Sequence, residues 1–145
     1  MNLSPHFTLQ EMERSQTAIR HGISNQADIR QTKALIDLCV NVLEPLRTLV
    51  NKSINIQSGF RNSTVNSLVS GSSTSQHKKG EAADINVEGI TPSELFDLIR
   101  NSSLPYDQVI DEFSSWVHIS YKPIQRRQAM LARKDGQNRT VYTRV

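Results

Sequence analysis

The spacing of apolar residues changes at about residue 53, and no other feature of the sequence limits the fold as strongly. Before that point, apolar residues from Leu35 to Leu49 recur at intervals of three and four, as on one face of a helix. Residues 53–58 then alternate between polar and apolar, which is typical of a strand with one buried face. This order predicts an α+β fold in which helices pack on an antiparallel sheet.

Capping signals indicate where the early helices begin and end. A capping-box pattern at Thr8–Glu11 predicts a short first helix that frays near Ser15. Ser24 or Asn25 can cap a longer second helix, and Pro45 should kink or divide it, because proline lacks the N–H that a helix interior needs.

Further elements follow Gly59 without a linker between them. A second capping-box pattern at Thr91 predicts a helix that ends near Arg100. The other predicted elements are a helix over 62–69, a polar loop over 70–76, strands over 82–87, 106–112 and 116–121, and a final hairpin over 128–133 and 139–144. We therefore expect residues 1–145 to form one domain.

The chain carries a net charge of +3, and much of the basic excess lies in its last third. A solvated basic surface explains this better than nucleic-acid binding, because Tyr142 is the only aromatic residue among these basic residues. No apolar run approaches the roughly 20 residues of a membrane span. The amino-terminal residues lack a basic stretch followed by an apolar run, so we expect no secretory signal.

The strongest chemical signal lies between His77 and Asp84. Asp84 begins an apolar strand, where a carboxylate is costly unless it is paired or bound to a cation. Gly80 and Ala82 are small enough for the intervening loop to fold tightly, and His118 lies within a later strand. Imidazole and carboxylate ligands suit zinc, and three of them leave a position for water. Spacing alone also allows hydrogen-bonded core histidines.

A strand-register argument concerns Glu112. If residues 113–115 form a three-residue turn, Glu112 faces Trp116 and Ile110 faces His118, so that Glu112 and His118 share a sheet face as diagonal neighbours. A carboxylate there could act as a general base on water at the metal. A two-residue turn would instead place Glu112 and His118 on opposite faces, and spacing alone leaves both registers open.

Arg61 follows the strand over 53–58, at its carboxyl end. A guanidinium group there could bind a substrate carboxylate or stabilise an oxyanion. An exposed arginine at the start of a helix is the alternative.

Four other polar residues suit structural roles. His6 and His21 lack ligand partners at suitable spacing, so we interpret them as surface or packing residues. Asp111 would face away from Glu112. Cys39 lies on the apolar face of the second predicted helix and is expected to be buried.

The motif Ser75-x-His77-x-x-Gly80-x-Ala82-x-Asp84 resembles the zinc D-alanyl-D-alanine carboxypeptidase and L-alanyl-D-glutamate endopeptidase family. That family includes bacterial cell-wall carboxypeptidases, vancomycin-resistance dipeptidases and phage endolysins, and it shares its fold with the signalling domain of Hedgehog. The resemblance therefore implies a Hedgehog-like or D-Ala-D-Ala peptidase-like fold.

Three other segments contribute to the resemblance. Trp116-Val117-His118 matches the distant histidine of the family, and Ser58-Gly59-Phe60-Arg61 matches its arginine segment. Residues 3–11 and the long second helix resemble a compact phage and prophage branch of the family.

The resemblance implies a function and a set of roles. His77, Asp84 and His118 would bind one Zn²⁺, and Glu112 would be the general base that later protonates the leaving amine. Arg61 would polarise the scissile carbonyl or anchor the substrate. Ser75 and Trp116 are the other expected substrate contacts. The substrate would be a peptidoglycan stem peptide, cleaved at a bond that involves a D-amino acid.

One departure from the family pattern concerns the base. Many members have Glu-x-x-His, but Ser115 stands at that glutamate position here. The compact branch places its glutamate six residues before the histidine, which is the position of Glu112. The alternative is a catalytically silent zinc module that binds wall fragments or a protein partner.

Overall fold

A computed structural model describes residues Met1–Val145 as six α-helices and eight β-strands. The helices are α1 (Leu9–Glu13), α2 (Gln16–His21), α3 (Ile29–Leu38), α4 (Glu44–Val50), α5 (Ser63–Leu68) and α6 (Pro92–Arg100). The strands are β1 (Asn2–Ser4), β2 (Phe7–Thr8), β3 (Asn55–Ser58), β4 (Ala82–Asn86), β5 (Gln108–Glu112), β6 (Trp116–Ser120), β7 (Gln128–Lys134) and β8 (Thr140–Arg144). None of the helices has the length and apolar character that crossing a membrane requires.

Six of the strands form one sheet in the order β3-β4-β6-β5-β7-β8, and β1 pairs with β2 alone. The sheet is antiparallel except at β5–β7, which is parallel. The predicted α+β class, with helices on an antiparallel sheet, is confirmed. The parallel pair was not predicted. It arises because β6 ends beside the start of β5, so the short segment over 121–127 can cross that end and begin β7 in the direction of β5.

The main core lies between the helices and one face of the sheet, as a cluster of 24 buried residues. Odd-numbered residues of β4, β5 and β6 enter this cluster, among them Ile85, Val109 and Ile119. Because side chains alternate along a strand, even-numbered residues such as Asp84 and His118 lie on the opposite face. The alternation that builds the core therefore also gathers polar groups on one surface.

The second predicted helix begins later than its capping signals indicate. Asp28 caps α3, so the predicted cap at Ser24 or Asn25 is wrong. Asn25 is buried, and its side chain forms hydrogen bonds with the backbone of Glu13, Phe60 and Asn62. It therefore joins three segments and does not cap α3. A further helix, α2, was not predicted and is capped by Ser15.

Pro45, which was expected to kink the second predicted helix, follows a wide helical turn. Residues Cys39–Leu43 form a π-helical turn between α3 and α4, in which Glu44 N donates to Cys39 O. Because Pro45 cannot donate to the carbonyl four residues earlier, this wider turn lets the chain continue past it. Cys39 is fully buried as expected, and burial raises the pKa of its thiol to about 12.

Gly80 provides a test of how tightly the turn after His77 packs on α3. Its φ is +74°, and a Cβ atom there would lie 2.4 Å from the backbone oxygen of Gln31. We expect Gly80→Ala to lower the free energy of unfolding by about 2–5 kcal/mol, from left-handed strain plus overpacking. Urea unfolding measures this loss.

Gly22→Ala is the matched control, because Gly22 also has a positive φ of +62° but no atom within 4 Å of the added Cβ. It should cost about 1–2 kcal/mol, from strain alone. Equal losses in the two variants would contradict close packing at Gly80.

Candidate metal and substrate site

Two neighbouring strands and one short turn bring three metal-binding side chains together. β4 pairs with β6 so that Asp84 lies opposite His118, and Asp84 Oδ1 is 3.2 Å from His118 Nδ1. His77 lies in a short 3₁₀ turn over Gln76–Lys79, and its Nε2 is 3.2 Å from the same oxygen. The three side chains are buried, and their ligand atoms lie within 4.8 Å of one another. The structure thus assembles the predicted ligand set.

The orientation of His77 is set by a backbone carbonyl. His77 Nδ1 lies 2.7 Å from Gly59 O, so Nδ1 carries the hydrogen and donates it. In the neutral ring, Nε2 then presents a lone pair to the carboxylate of Asp84. Two acceptors face each other at this point, and a cation between them would satisfy both. The residues present therefore fit a zinc ion, because their donor atoms suit it and Gly59 O holds the ring of His77 in the required orientation.

Electrostatics at Asp84 favour the charged form. Burial alone would raise the pKa of this carboxyl, but His77 and His118, when their rings are protonated, outweigh burial through charge and hydrogen bonds and hold the pKa well below its usual range. A cation between the carboxylate and neutral rings would favour the ionised form of Asp84 in the same way.

The strand register places Glu112 beside this cluster. Glu112 pairs with Trp116 and Ile110 pairs with His118, as the three-residue turn requires. Phe113 and Ser114 in that turn have positive φ values of 58° and 55°. Glu112 Oε1 lies 3.7 Å from His118 Nδ1. Burial, followed by the negative charge of Asp84, raises the pKa of Glu112.

Arg61 points into the site instead of lying in solvent. Its side chain is only 15% exposed, and Nη2 is 3.9 Å from Asp84 Oδ2. Nη1 donates to Asn66 Oδ1 at 3.3 Å, whereas the buried Nε–H has no acceptor. One face of the guanidinium group is therefore held in place, and a donor remains free for another oxygen.

Ser75 and Trp116, the other predicted substrate contacts, line the same open cavity of about 950 Å³. Ser75 Oγ also accepts from His77 N at 3.2 Å, so this hydroxyl shapes the turn that holds the imidazole. Trp116 packs edge-on against Phe113, and its buried indole N–H has no acceptor. Both remain predicted substrate contacts.

The residues assigned to structural roles lie away from the cavity. His6 bonds Glu44 at 2.8 Å, and exposed His21 bonds a carbonyl of its own helix. Asp111 is buried on the helix side of β5 and pairs with Arg133 at 3.1 Å.

A buried ion pair that sequence reasoning missed braces the His77 turn. Asp107 has no exposed surface, and Arg126 Nη2 donates to its Oδ2 at 2.7 Å. Gln76 joins them: its Nε2 donates to Asp107 Oδ2 at 3.1 Å, and its Oε1 accepts from Arg126 at 3.3 Å. No local spacing relates these residues, because they come from three distant segments that only the sheet brings together.

Two histidines and an aspartate that could hold a metal ion, beside a second carboxylate on an open cleft, are typical of metal-dependent hydrolases. A family model described as Peptidase M15 matches residues 5–120, and the chain therefore belongs to the Peptidase M15 family of zinc-dependent metallopeptidases. The resemblance drawn from residues 75–84 is confirmed at this level. No curated protein matches the chain. The family match ends with β6, so β7 and β8 lie outside it.

Removing the buried negative charge of Asp107 should give a pH-dependent loss of stability. Bonds from Arg126 outweigh burial and lower the pKa of Asp107. Its contribution is thus complete above the unfolded-state pKa of about 4 and is lost as pH falls through the lower folded-state pKa. We expect Asp107→Asn to cost about 1–3 kcal/mol near neutral pH and less in acid, measured by urea unfolding.

The control is Asp97→Asn, which removes an exposed carboxylate without an ion-pair partner. It should change stability by less than about 0.5 kcal/mol. A loss at Asp107→Asn that is independent of pH would exclude the ion pair as its cause.

Proposed function

We propose that residues 1–145 form a single zinc peptidase domain that hydrolyses peptide bonds in peptidoglycan stem peptides. The bond would involve a D-amino acid, as in D-Ala-D-Ala carboxypeptidases or L-Ala-D-Glu endopeptidases, and the chain would belong to the compact phage or prophage branch. The observation that carries this proposal is the position of Glu112, on the same cleft face as His118 and 3.7 Å from it. Family membership supports the same class of reaction.

His77, Asp84 and His118 would hold the metal. When bound there, zinc supplies a Lewis acid that activates water and polarises a carbonyl group. Gly59 O keeps the His77 ring in the tautomer that leaves Nε2 free for a metal. The pairing of β4 with β6 places His118 directly opposite Asp84, which fixes the position of the second imidazole.

Glu112 would move the proton. Its carboxylate takes a proton from the attacking water and delivers it to the amine that leaves. A raised pKa makes this carboxylate a stronger base than an exposed glutamate, and burial together with the charge of Asp84 provides that rise. The peptide bond breaks as the amine accepts the proton.

Arg61 would bind an oxygen of the substrate. The Nη2 group, 3.9 Å from Asp84 Oδ2, would hold the scissile carbonyl as negative charge develops, or a terminal carboxylate. Ser75 and Trp116, on the wall of the same cavity, would contact the rest of the peptide.

Glu112→Gln tests the proposal, because it removes the base while keeping the shape of the side chain. We expect zinc-loaded wild type to release stem-peptide fragments from muropeptides and Glu112→Gln to be at least about 100-fold slower with an unchanged zinc content. Mass spectrometry of the digest reports both the rate and the bond that is cut.

Glu88→Gln is the control, since Glu88 lies on the exposed turn after β4. It should cleave at the wild-type rate. Full zinc occupancy without turnover in wild type would reject the peptidase and favour a zinc module that binds wall fragments. Full turnover in the metal-free protein would reject the zinc mechanism.

A further inference from the structure

The last two strands continue the face of the sheet that carries the candidate site. β7 pairs with β5 in a register that places Met130 beside Ile110 and Ala132 beside Glu112. β8 then places Tyr142 beside Ala132. Side chains of directly paired residues point to the same face, so this row extends from Glu112 to Tyr142. The cavity that contains the metal-binding cluster is therefore bounded on this side by a hairpin outside the family match.

Tyr142 faces the reacting end of the cavity across a small residue. Ala132, which separates it from Glu112 in the sheet, is fully buried and offers no long side chain that would block the phenol. Burial, followed by the negative charges of Glu112 and Asp84, raises the pKa of Tyr142. A tyrosine phenol is neutral at physiological pH even without this rise, and because Tyr142 is exposed its O–H is available as a hydrogen-bond donor.

Lys134 adds a positive charge to the same face of the hairpin, two residues after Ala132 in β7. It lines the cavity, and its Nζ lies 5.3 Å from the centre of the Phe113 ring in the turn after Glu112. Nζ donates to Thr140 Oγ1 at 3.0 Å. The adjacent carboxylate of Asp135, whose pKa is lowered by hydrogen bonds from Arg139 and also by the charge of Lys134, pairs with Arg139 at 2.9 Å. An ammonium group keeps two further donors after one such bond, so Lys134 can still bind an oxygen of a ligand.

The other charges in the cavity indicate which kind of ligand Lys134 and Tyr142 would bind. Beside the metal-binding cluster, the negative charge of Glu112 repels an anionic substrate, and the Nη2 of Arg61 lies 3.9 Å from Asp84 Oδ2. A substrate carboxylate approaching from the hairpin side would meet the ammonium of Lys134 and the phenol of Tyr142 first. Charge-assisted bonds to a carboxylate are the strongest that these two groups can make.

We propose that Lys134 and Tyr142 form a subsite that selects peptides with a free carboxylate next to the scissile bond. This inference rests on the proposed peptidase function and specifies its substrate class. The carboxylate can come from an acidic side chain or from the carboxyl terminus of the peptide, and both present the same group to the subsite.

Three otherwise identical peptides test the subsite with the full-length, zinc-loaded protein. One has only the side-chain carboxylate, the second only the terminal carboxylate, and the third has both as amides. We expect kcat/KM for one acid peptide to exceed that for the diamide by about tenfold, and Lys134→Gln to remove most of this preference. The acid peptide that is preferred identifies the source of the carboxylate.

Further variants separate a local subsite from general effects. Lys134→Arg should keep the preference, and Tyr142→Phe should reduce it several-fold while Tyr121→Phe, outside the cavity, does not. Arg14→Gln removes the same charge from a part of the cavity lining that does not belong to the hairpin, and it should leave the preference intact. Equal rates for all three peptides, or an equal loss in Arg14→Gln, would overturn the proposal.

Calorimetry keeps this test independent of catalysis. If wild type cleaves none of the peptides, the proposed function fails, but the same peptides can still be titrated into the zinc-loaded protein. Tighter binding of an acid peptide that is lost in Lys134→Gln would support the subsite. Equal affinities for acid and diamide peptides would overturn it.

Discussion

The buried carboxylate of Asp84 is the constraint on which the site depends. An ionised carboxylate inside a sheet is several kcal/mol less stable than in water unless opposite charges or metal ligation compensate. Here two imidazole nitrogens lie 3.2 Å from one of its oxygens, and the guanidinium of Arg61 lies 3.9 Å from the other. A divalent cation among these groups would complete the compensation. Binding of a metal there would therefore be coupled to the stability of the strand through one residue.

The fold brings partners to that carboxylate by two different routes. His118 comes with the register of β4 and β6, so the sheet that forms the core also fixes one ligand. His77 comes with a short turn, which Gly59 O orients from one side and the Gln76–Asp107 bond braces from another. The first route needs only strand pairing. The second depends on contacts among segments far apart in the chain.

The features that could be predicted from the sequence are those that depend on residues close together in the chain. The α+β class follows from the change of apolar spacing, and the motif from His77 to Asp84 follows from short spacing. The register at Glu112 stayed open between a two-residue and a three-residue turn until the strand pairing was known. The start of α3 was missed because Asp28 and Asn25 can both cap a helix, and only tertiary bonds show that Asn25 is used elsewhere. The Asp107–Arg126 pair and the parallel strand β7 were missed because both depend on distant segments meeting in the sheet.

Zinc-edge X-ray absorption on a stoichiometric complex measures whether His77, Asp84 and His118 bind one zinc ion. We expect one zinc per chain with nitrogen and oxygen ligands only, including two imidazoles. His118→Ala should lose one imidazole from the spectrum, and His6→Ala, at the exposed ion pair with Glu44, should lose none. Sub-stoichiometric binding, a sulfur ligand from Cys39, or an unchanged spectrum in His118→Ala would contradict this expectation.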